Sequence, residues 1–397
     1  MRKLLLLGAM QMHIPIIKSA KKRGVYVITC DYLPENEGHK YADETHFDST
    51  TDFDAVLKLA KKCNVDGVMT FNSDPAALTA AYVAEQLYLP SSGYDAVKIM
   101  SEKDLFRNFL ADNGFNTPKF RQYTCTEDLM NEVDSFNFPI VLKPVDSSGS
   151  KGITILYNKE DVNECFNNAL LFSRCKRIII EEYIDKIGPQ MHGDAFVKDG
   201  KLKFVCLGDH HFNSEINNLV PISTTFPSQH SSEDLKRVED EVARFISKVG
   251  FKQGGINIEA RISASDNKVY LIEVGPRNGG NFTPIVIQYA SGFNFMNACV
   301  CASLGEQDEL QIVEDRGFFA YLVIHSDQDG VLKSIDIKED LQSLVLERYM
   351  YVNIGDYVHS FKGANSALGV LLCKFPSSER MNFIANNMAN FINVNLS

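Results

Sequence analysis

The chain has 397 residues, 45% of them hydrophobic, and a formal net charge of −11. It is too long for one hydrophobic core and too acidic to favour nonspecific binding to nucleic acid. Its apolar runs fall short of the roughly 20 residues a membrane helix needs. Nine scattered cysteines without ordered Cys/His spacing suit a reduced, cytoplasmic chain better than a disulfide scaffold or zinc module. A cytoplasmic protein of two or three domains is expected, with neither nucleic acid nor membrane as partner.

The first residues imitate a signal peptide, but the apolar run is short, meets Gly8, Gln11 and His13, and precedes no small-residue cleavage site. A core strand over Lys3–Leu7 is expected instead. A helix at 14–23, a strand at 25–30, a helix at 52–63, a strand at 67–71 and a helix at 74–87 follow. Such alternation builds a parallel sheet with helices on its faces. The turn after the first strand lacks the second and third glycines of a dinucleotide fingerprint. Crevices lie at strand ends in open α/β sheets, so His13, Asp31, Asn72, Ser73 and Asp74 are candidate acceptor contacts. Asp74 before Pro75 equally fits a helix N-cap.

Residues 138–156 read as a strand carrying Lys143, a small-residue loop at 146–152 and a second strand. Backbone N–H groups of a Gly/Ser loop can approach phosphate oxygens unobstructed, and a strand lysine supplies a fixed positive charge. With a helix at 159–174 these form a small α+β lobe over about 118–184. Beyond it, 194–197 and 201–207 pair across an Asp199-Gly200 turn. Residues 209–224 read as a long irregular polar segment, a feature often functional in a compact domain, with His210, His211 and Thr224 as candidate acceptor contacts. A helix at 231–249 carries Leu235, Val238, Val242, Phe245 and Ile246 at helical spacing.

Residues 254–261 and 269–281 read as two apolar strands joined by a hairpin at Ser265, Asp266 and Asn267. Strand pairing brings Glu259 beside Glu273, and two adjacent carboxylates suit Mg²⁺, which takes oxygen ligands and leaves room for phosphate oxygens. The simpler alternative is a pair of solvated carboxylates. A core helix at 284–304 follows. Strands at 318–325, 330–337 and 368–375 with a closing helix form a C-terminal part in which no chemistry is evident.

The order of these motifs over about residues 1–305 resembles the ATP-grasp superfamily. The resemblance implies α/β and α+β architecture: an N-terminal parallel-sheet domain preceding the grasp (1–95), a two-lobed ATP-grasp domain (96–310) with its small lobe mobile, and a small C-terminal α+β domain (311–397). It makes Lys103, in a helix opening near Ser101, and Lys143 the phosphate-binding lysines, with Ser147, Ser148, Gly149, Ser150 and Gly152 closing over the phosphates. Backbone groups of Glu182 and Ile184 meet the adenine edge and Glu181 its exocyclic amine. Glu259 and Glu273 hold Mg²⁺, with Mn²⁺ as an alternative, and Arg277 touches the transferred phosphate.

Two positions depart from the pattern. Gln190 stands where a ribose-binding glutamate is usual, with Asp194 or His192 as substitutes. Gly275 replaces a metal-binding asparagine, for which Asn257, on the same strand face as Glu259, or Asn278 can compensate. The implied activity is an ATP-dependent ligase that converts a carboxylate to an acyl phosphate and joins it to an amine, with Arg277 and Lys143 catalytic and small molecules as partners. A carbamoyl-phosphate synthetase-like or biotin carboxylase-like enzyme that activates bicarbonate is the alternative, and a non-catalytic ATP-binding module a further one; a homodimer fits any of them. With no tryptophan in the chain, a small polar acid or amino compound is the expected acceptor.

Overall fold

A computed structural model describes residues 1–213, 217–307, 310 and 316–397. Four short strands, β1 (Lys3–Leu7), β2 (Tyr26–Cys30), β3 (Glu44–His46) and β4 (Gly67–Met69), form a parallel sheet in the order β3-β2-β1-β4. Leu4 to Leu7 are buried on both faces, as strands covered on both sides must be. Covering helices are α1 (Ile14–Lys22), α2 (Phe53–Cys63) and α3 (Asp74–Gln86). Asp52 caps α2 by accepting from the Ala55 N–H. Ser73, not Asp74, holds the N-cap position of α3, and it makes no capping bond; Asp74 has another partner, described below.

Helices α4 (Tyr94–Ser101) and α5 (Lys103–Asp112) lead into a small lobe. Its sheet runs β5-β8-β6-β7, from β5 (Phe120–Tyr123), β6 (Ile140–Pro144), β7 (Thr154–Leu156) and β8 (Ile178–Glu182). Helices α6 (Thr126–Glu132) and α7 (Val162–Phe172) bury Leu129 and Phe166 against Ile178 and Ile180.

The largest element is an eight-stranded sheet in the order β13-β12-β9-β10-β11-β14-β18-β16. Its strands are β9 (Gln190–Lys198), β10 (Lys201–Asn213), β11 (Asn217–Phe226), β12 (Gly254–Ile262), β13 (Val269–Gly275) and β14 (Phe318–Ile324), then β16 (Val345–Met350) and β18 (Gly369–Phe375). A separate sheet pairs β15 (Gly330–Ile337) with β17 (Tyr357–Val358) and β19 (Ile392–Leu396). Asp199 and Gly200 turn the β9/β10 hairpin with φ of 54° and 69°, as a two-residue hairpin requires. Helix α8 (Ser232–Val249) buries Val238, Val242, Phe245 and Ile246 and stops at Gly250, φ 77°.

Two expectations are corrected. Residues 209–224 are not irregular: β10 and β11 pair antiparallel, with His210 opposite Thr224 and His211 opposite Ser223, and only 214–216 lie outside the described residues. Asp209, His210, His211, Ser223 and Thr224 are polar yet buried, so composition suggested a loop where pairing made a strand. Residues 284–304 are also not one helix: Thr283–Ser291 and Phe295–Leu304 are separated at Gly292, φ 76°. Beyond 317, β14 pairs with β11 and so extends the large sheet. Among the described residues no single helix is long and apolar enough to cross a membrane.

Candidate active site

The small lobe, the large sheet and the N-terminal domain enclose a cavity of about 610 Å³. Sheet register sets out its floor. Glu273 lies opposite Glu259, and Glu259 opposite His192; farther across, His210 lies opposite Thr224, and Thr224 opposite Tyr321.

At one end, α5 begins with Lys103, whose Nζ donates to the Ser147 carbonyl at 2.5 Å. One turn on, Arg107 is 1% exposed and grips Glu181 with both ends, Nε to Oε1 at 2.8 Å and Nη2 to Oε2 at 3.1 Å. It also donates to the carbonyls of Leu271 and Ile272. Lys143 Nζ reaches Glu181 Oε2 at 2.7 Å. Burial pushes Glu181 up, but Arg107 and Lys143 outweigh it and hold the carboxyl down at about 2. Burial lowers Lys143 to about 8 despite the attraction of Glu181. The Glu181 carboxylate is thus fully engaged by two cations, while the Glu182 N–H donates to the Lys119 carbonyl and the Ile184 carbonyl accepts from Arg261 at 2.7 Å. Sequence reasoning missed Arg107: a helical arginine ordinarily faces solvent, and its partner Glu181 lies on β8, 74 residues on.

The phosphate loop is pinned at its start, where Asp146 accepts from Ser173 Oγ and from the N–H groups of Arg174 and Cys175 at 3.0 to 3.2 Å. Gly149 and Ser150 take φ of 66° and 59°. Ser150 Oγ then donates to the Leu219 carbonyl at 2.7 Å, so the loop reaches β11 across the cavity. Ser147, Ser148, Gly149 and Ser150 line the cavity. Gly152 does not: it is wedged between Phe172 and Pro144, where a Cβ would sit 2.9 Å from each side chain.

Glu259 and Glu273 both line the cavity. Burial and the neighbouring Glu273 carboxylate push Glu259 up, against the pull of Arg261, Arg277 and Lys143. Gln190 donates to Glu259 Oε2 at 2.7 Å and accepts from Arg261 at 2.8 and 2.6 Å, so its amide is clamped in the wall. Asn257 lines the cavity beside Glu259 while its Nδ2 donates to Asp194 Oδ1 at 2.9 Å. Asp194 and Asn278 turn away. Asp194 is fully buried and accepts from Asn257, from Asn278 Nδ2 and from the Gly279 N–H, which closes the turn after β13. Burial pushes it up to about 6 despite those donors. Neither can therefore serve ribose or metal without dismantling that turn.

Arg277 forms a two-pronged pair with Asp74, Nε–Oδ1 and Nη2–Oδ2 both 2.7 Å. A Cβ at Gly275 would meet Asp74 Oδ1 at 3.5 Å and Arg277 Cζ at 3.6 Å, ordinary contact distances, so Gly275 lies directly against the pair. His192 and His210 stack at 3.9 Å beside Glu259, and His210 Nδ1 shares a hydrogen bond with Thr224 Oγ1 at 2.7 Å. Burial lowers His192 to about 3 and His210 well below its ordinary value, so both are neutral. Of the other acceptor candidates, Asn72 lines the cavity; Ser73, His211 and Thr224 do not. His13 is buried outside the cavity, and Asp31 accepts from the Ala9 and Leu33 N–H groups.

Comparison with known proteins places this geometry. Residues 136–285 match the ATP-grasp domain family. The chain is 26% identical over 299 residues to an uncharacterised protein of Sinorhizobium fredii and 25% identical over 297 residues to the carbamoyl phosphate synthase large chain of Clostridium perfringens. These alignments take in 72% and 73% of this chain but only 59% and 27% of those proteins, so the chain spans less than two thirds of the length of either. By structure it is similar to an L-amino acid ligase from Bacillus licheniformis, with a TM-score of 0.83, 22% identity and coverage of 100% of this chain and 99% of that one. A phosphoribosylglycinamide synthetase from Anaerococcus prevotii gives a TM-score of 0.78 at 21% identity, with both chains covered in full. The chain carries an ATP-grasp domain, and its fold is the ATP-grasp fold.

Proposed function

We propose that this chain is an ATP- and Mg²⁺-dependent carboxylate–amine ligase. The observation that carries the reading is one cavity holding two lysines and a Gly/Ser loop at one side and the Glu259/Glu273 pair with Arg277 at the other. The donor set suits Mg²⁺: two adjacent carboxylates on neighbouring strands, with Asn257 beside them. When bound, the ion would draw charge from the phosphate oxygens. Lys103 and Lys143 hold the triphosphate, and the loop at 146–152 closes over it. A substrate carboxylate oxygen attacks the γ-phosphorus, the bond to the bridging oxygen breaks, and ADP leaves. The amine nitrogen then attacks the acyl carbon, phosphate departs, and the nitrogen loses a proton to give the amide.

In this reading the protein positions and neutralises rather than supplying a nucleophile. Arg277 has to share its guanidinium between Asp74 and the transferred phosphate. The Arg107–Glu181–Lys143 triad fixes where the lysine charge sits, which a flexible lysine alone cannot do. The similarity to an L-amino acid ligase supports small-molecule substrates of the carboxylate and amine type. A pairwise screen of amino acids, dipeptides and uronic acids for ADP release tests the proposal. ADP that appears only when a carboxylate and an amine are both present is expected, and ADP formed with bicarbonate alone would replace this reading with the bicarbonate-activating one.

A further inference from the structure

The cavity has a wall that the ligase chemistry does not use. From residue 317 onward the chain contributes six residues to it: Tyr321, Val323, Tyr351, Phe361, Ala364 and Ala367. None is charged. Tyr321 and Val323 project from one face of β14, two strands beyond β10 and four beyond Glu259 on β12. The Tyr321 hydroxyl is tied to Thr224 and Asn281, so its ring is what remains to meet a ligand. Phe361 is held by His325 behind it, ring centroids 4.8 Å apart. From the opposite side the turn after β1 presents Met10 and Met12, unbranched side chains that adapt to irregular apolar shapes. The charged pair that reaches this side from the N-terminal domain, Asp74 with Arg277, is neutralised within itself.

We infer that this wall is a specificity pocket, and that one of the two substrates bears an uncharged side group of aromatic or branched aliphatic size which packs against it. An amino acid with such a side chain is the simplest compound that joins a reacting carboxylate or amine to that group. The inference rests on the ligase reading for the reacting end, whereas the side-group preference comes from the wall alone. It departs from the small polar acceptor that the sequence suggests, because Tyr321, Tyr351 and Phe361 are scattered in the chain and converge only through the pairing of β14 with β11 and β18. The six residues offer no cation to an acidic side group, which would give up its water there.

The test uses the full chain with Mg²⁺ and a non-hydrolysable ATP analogue, titrated calorimetrically with phenylalanine, leucine, glycine, aspartate and glucuronate. Phenylalanine or leucine should bind on the order of tenfold or more tightly than glycine or the acids. Tyr351→Asp, at a partly exposed position, should abolish that preference while leaving affinity for the nucleotide analogue unchanged, and Ala367→Leu should weaken phenylalanine more than leucine. Equal affinity across the panel, preference for the acids, or no binding by any compound would overturn the inference. ADP formation is read separately. Selective binding of apolar compounds without ADP would remove the ligase reading and keep the pocket; ADP formed with acidic partners only would do the reverse.

Discussion

Glu181 is the residue on which the phosphate side of the cavity depends. Its folded value of about 2 lies below the ordinary 4.5, so the stability it contributes is fully present above pH 4.5 and is lost as the pH falls toward 2. The shift corresponds to about 3 kcal/mol. Urea unfolding should therefore show the wild type losing that much between pH 4.5 and 2, and Glu181→Gln lacking that loss. At pH 7 the same variant leaves Arg107 buried without its counter-ion and should cost about 3–5 kcal/mol. Equal pH profiles for the two proteins would mean that the triad is not formed in solution. Glu273→Gln tests the metal side: turnover should fall at least roughly 100-fold with the melting temperature unchanged. Lys103, Lys143, Glu259 and Arg277 were legible as candidates because each sits in a local motif, and all four line one cavity. Arg107 and the His192/His210 stack were not, since their partners lie on other strands or helices.

Among the elements, the loop at 146–152 has the clearest dynamic consequence. It is anchored firmly at Asp146, and beyond that the described side-chain bonds tying it to the cavity walls are Lys103 to the Ser147 carbonyl and Ser150 to the Leu219 carbonyl. A segment with so few apolar contacts opens at low free-energy cost. Its closure would keep water from an acyl phosphate. Hydrogen exchange over 145–153 should slow when ATP and Mg²⁺ are added, and unchanged exchange at saturating nucleotide would count against a lid. The β12/β13 hairpin was readable from alternation and its turn, and the β9/β10 hairpin from Asp199-Gly200. The pairing of β10 with β11 was not, because His210, His211, Ser223, Thr224 and Thr225 are polar yet buried, and buried polar strands carry no alternation to detect.

For the whole molecule, the Asp74–Arg277 pair joins the N-terminal domain to the metal loop, and β14 joins the C-terminal segment to the large sheet. The cavity is consequently built by all three parts of the chain. Asp74→Ala frees Arg277 and removes one tie between the parts. It should change the KM for the non-nucleotide substrates several-fold while leaving nucleotide affinity within about twofold, as binding isotherms and initial rates will show. The layout of successive parts was legible because strand–helix alternation and motif order are local properties. Their convergence was not: which strand neighbours which, and hence that Tyr321 closes the cavity begun by Lys103, is decided by pairing across about 200 residues. The central proposal is that this cavity uses ATP to convert a carboxylate to an acyl phosphate before an amine attacks it. The most direct measurement is positional isotope exchange with ATP labelled in the β-nonbridging oxygens, run with the carboxylate substrate but without the amine. Scrambling of label into the β,γ-bridge that requires the carboxylate and disappears in Glu273→Gln is the predicted result. Product formation with both substrates present, but no carboxylate-dependent scrambling in the wild type even when ADP is held in the closed site, would contradict it.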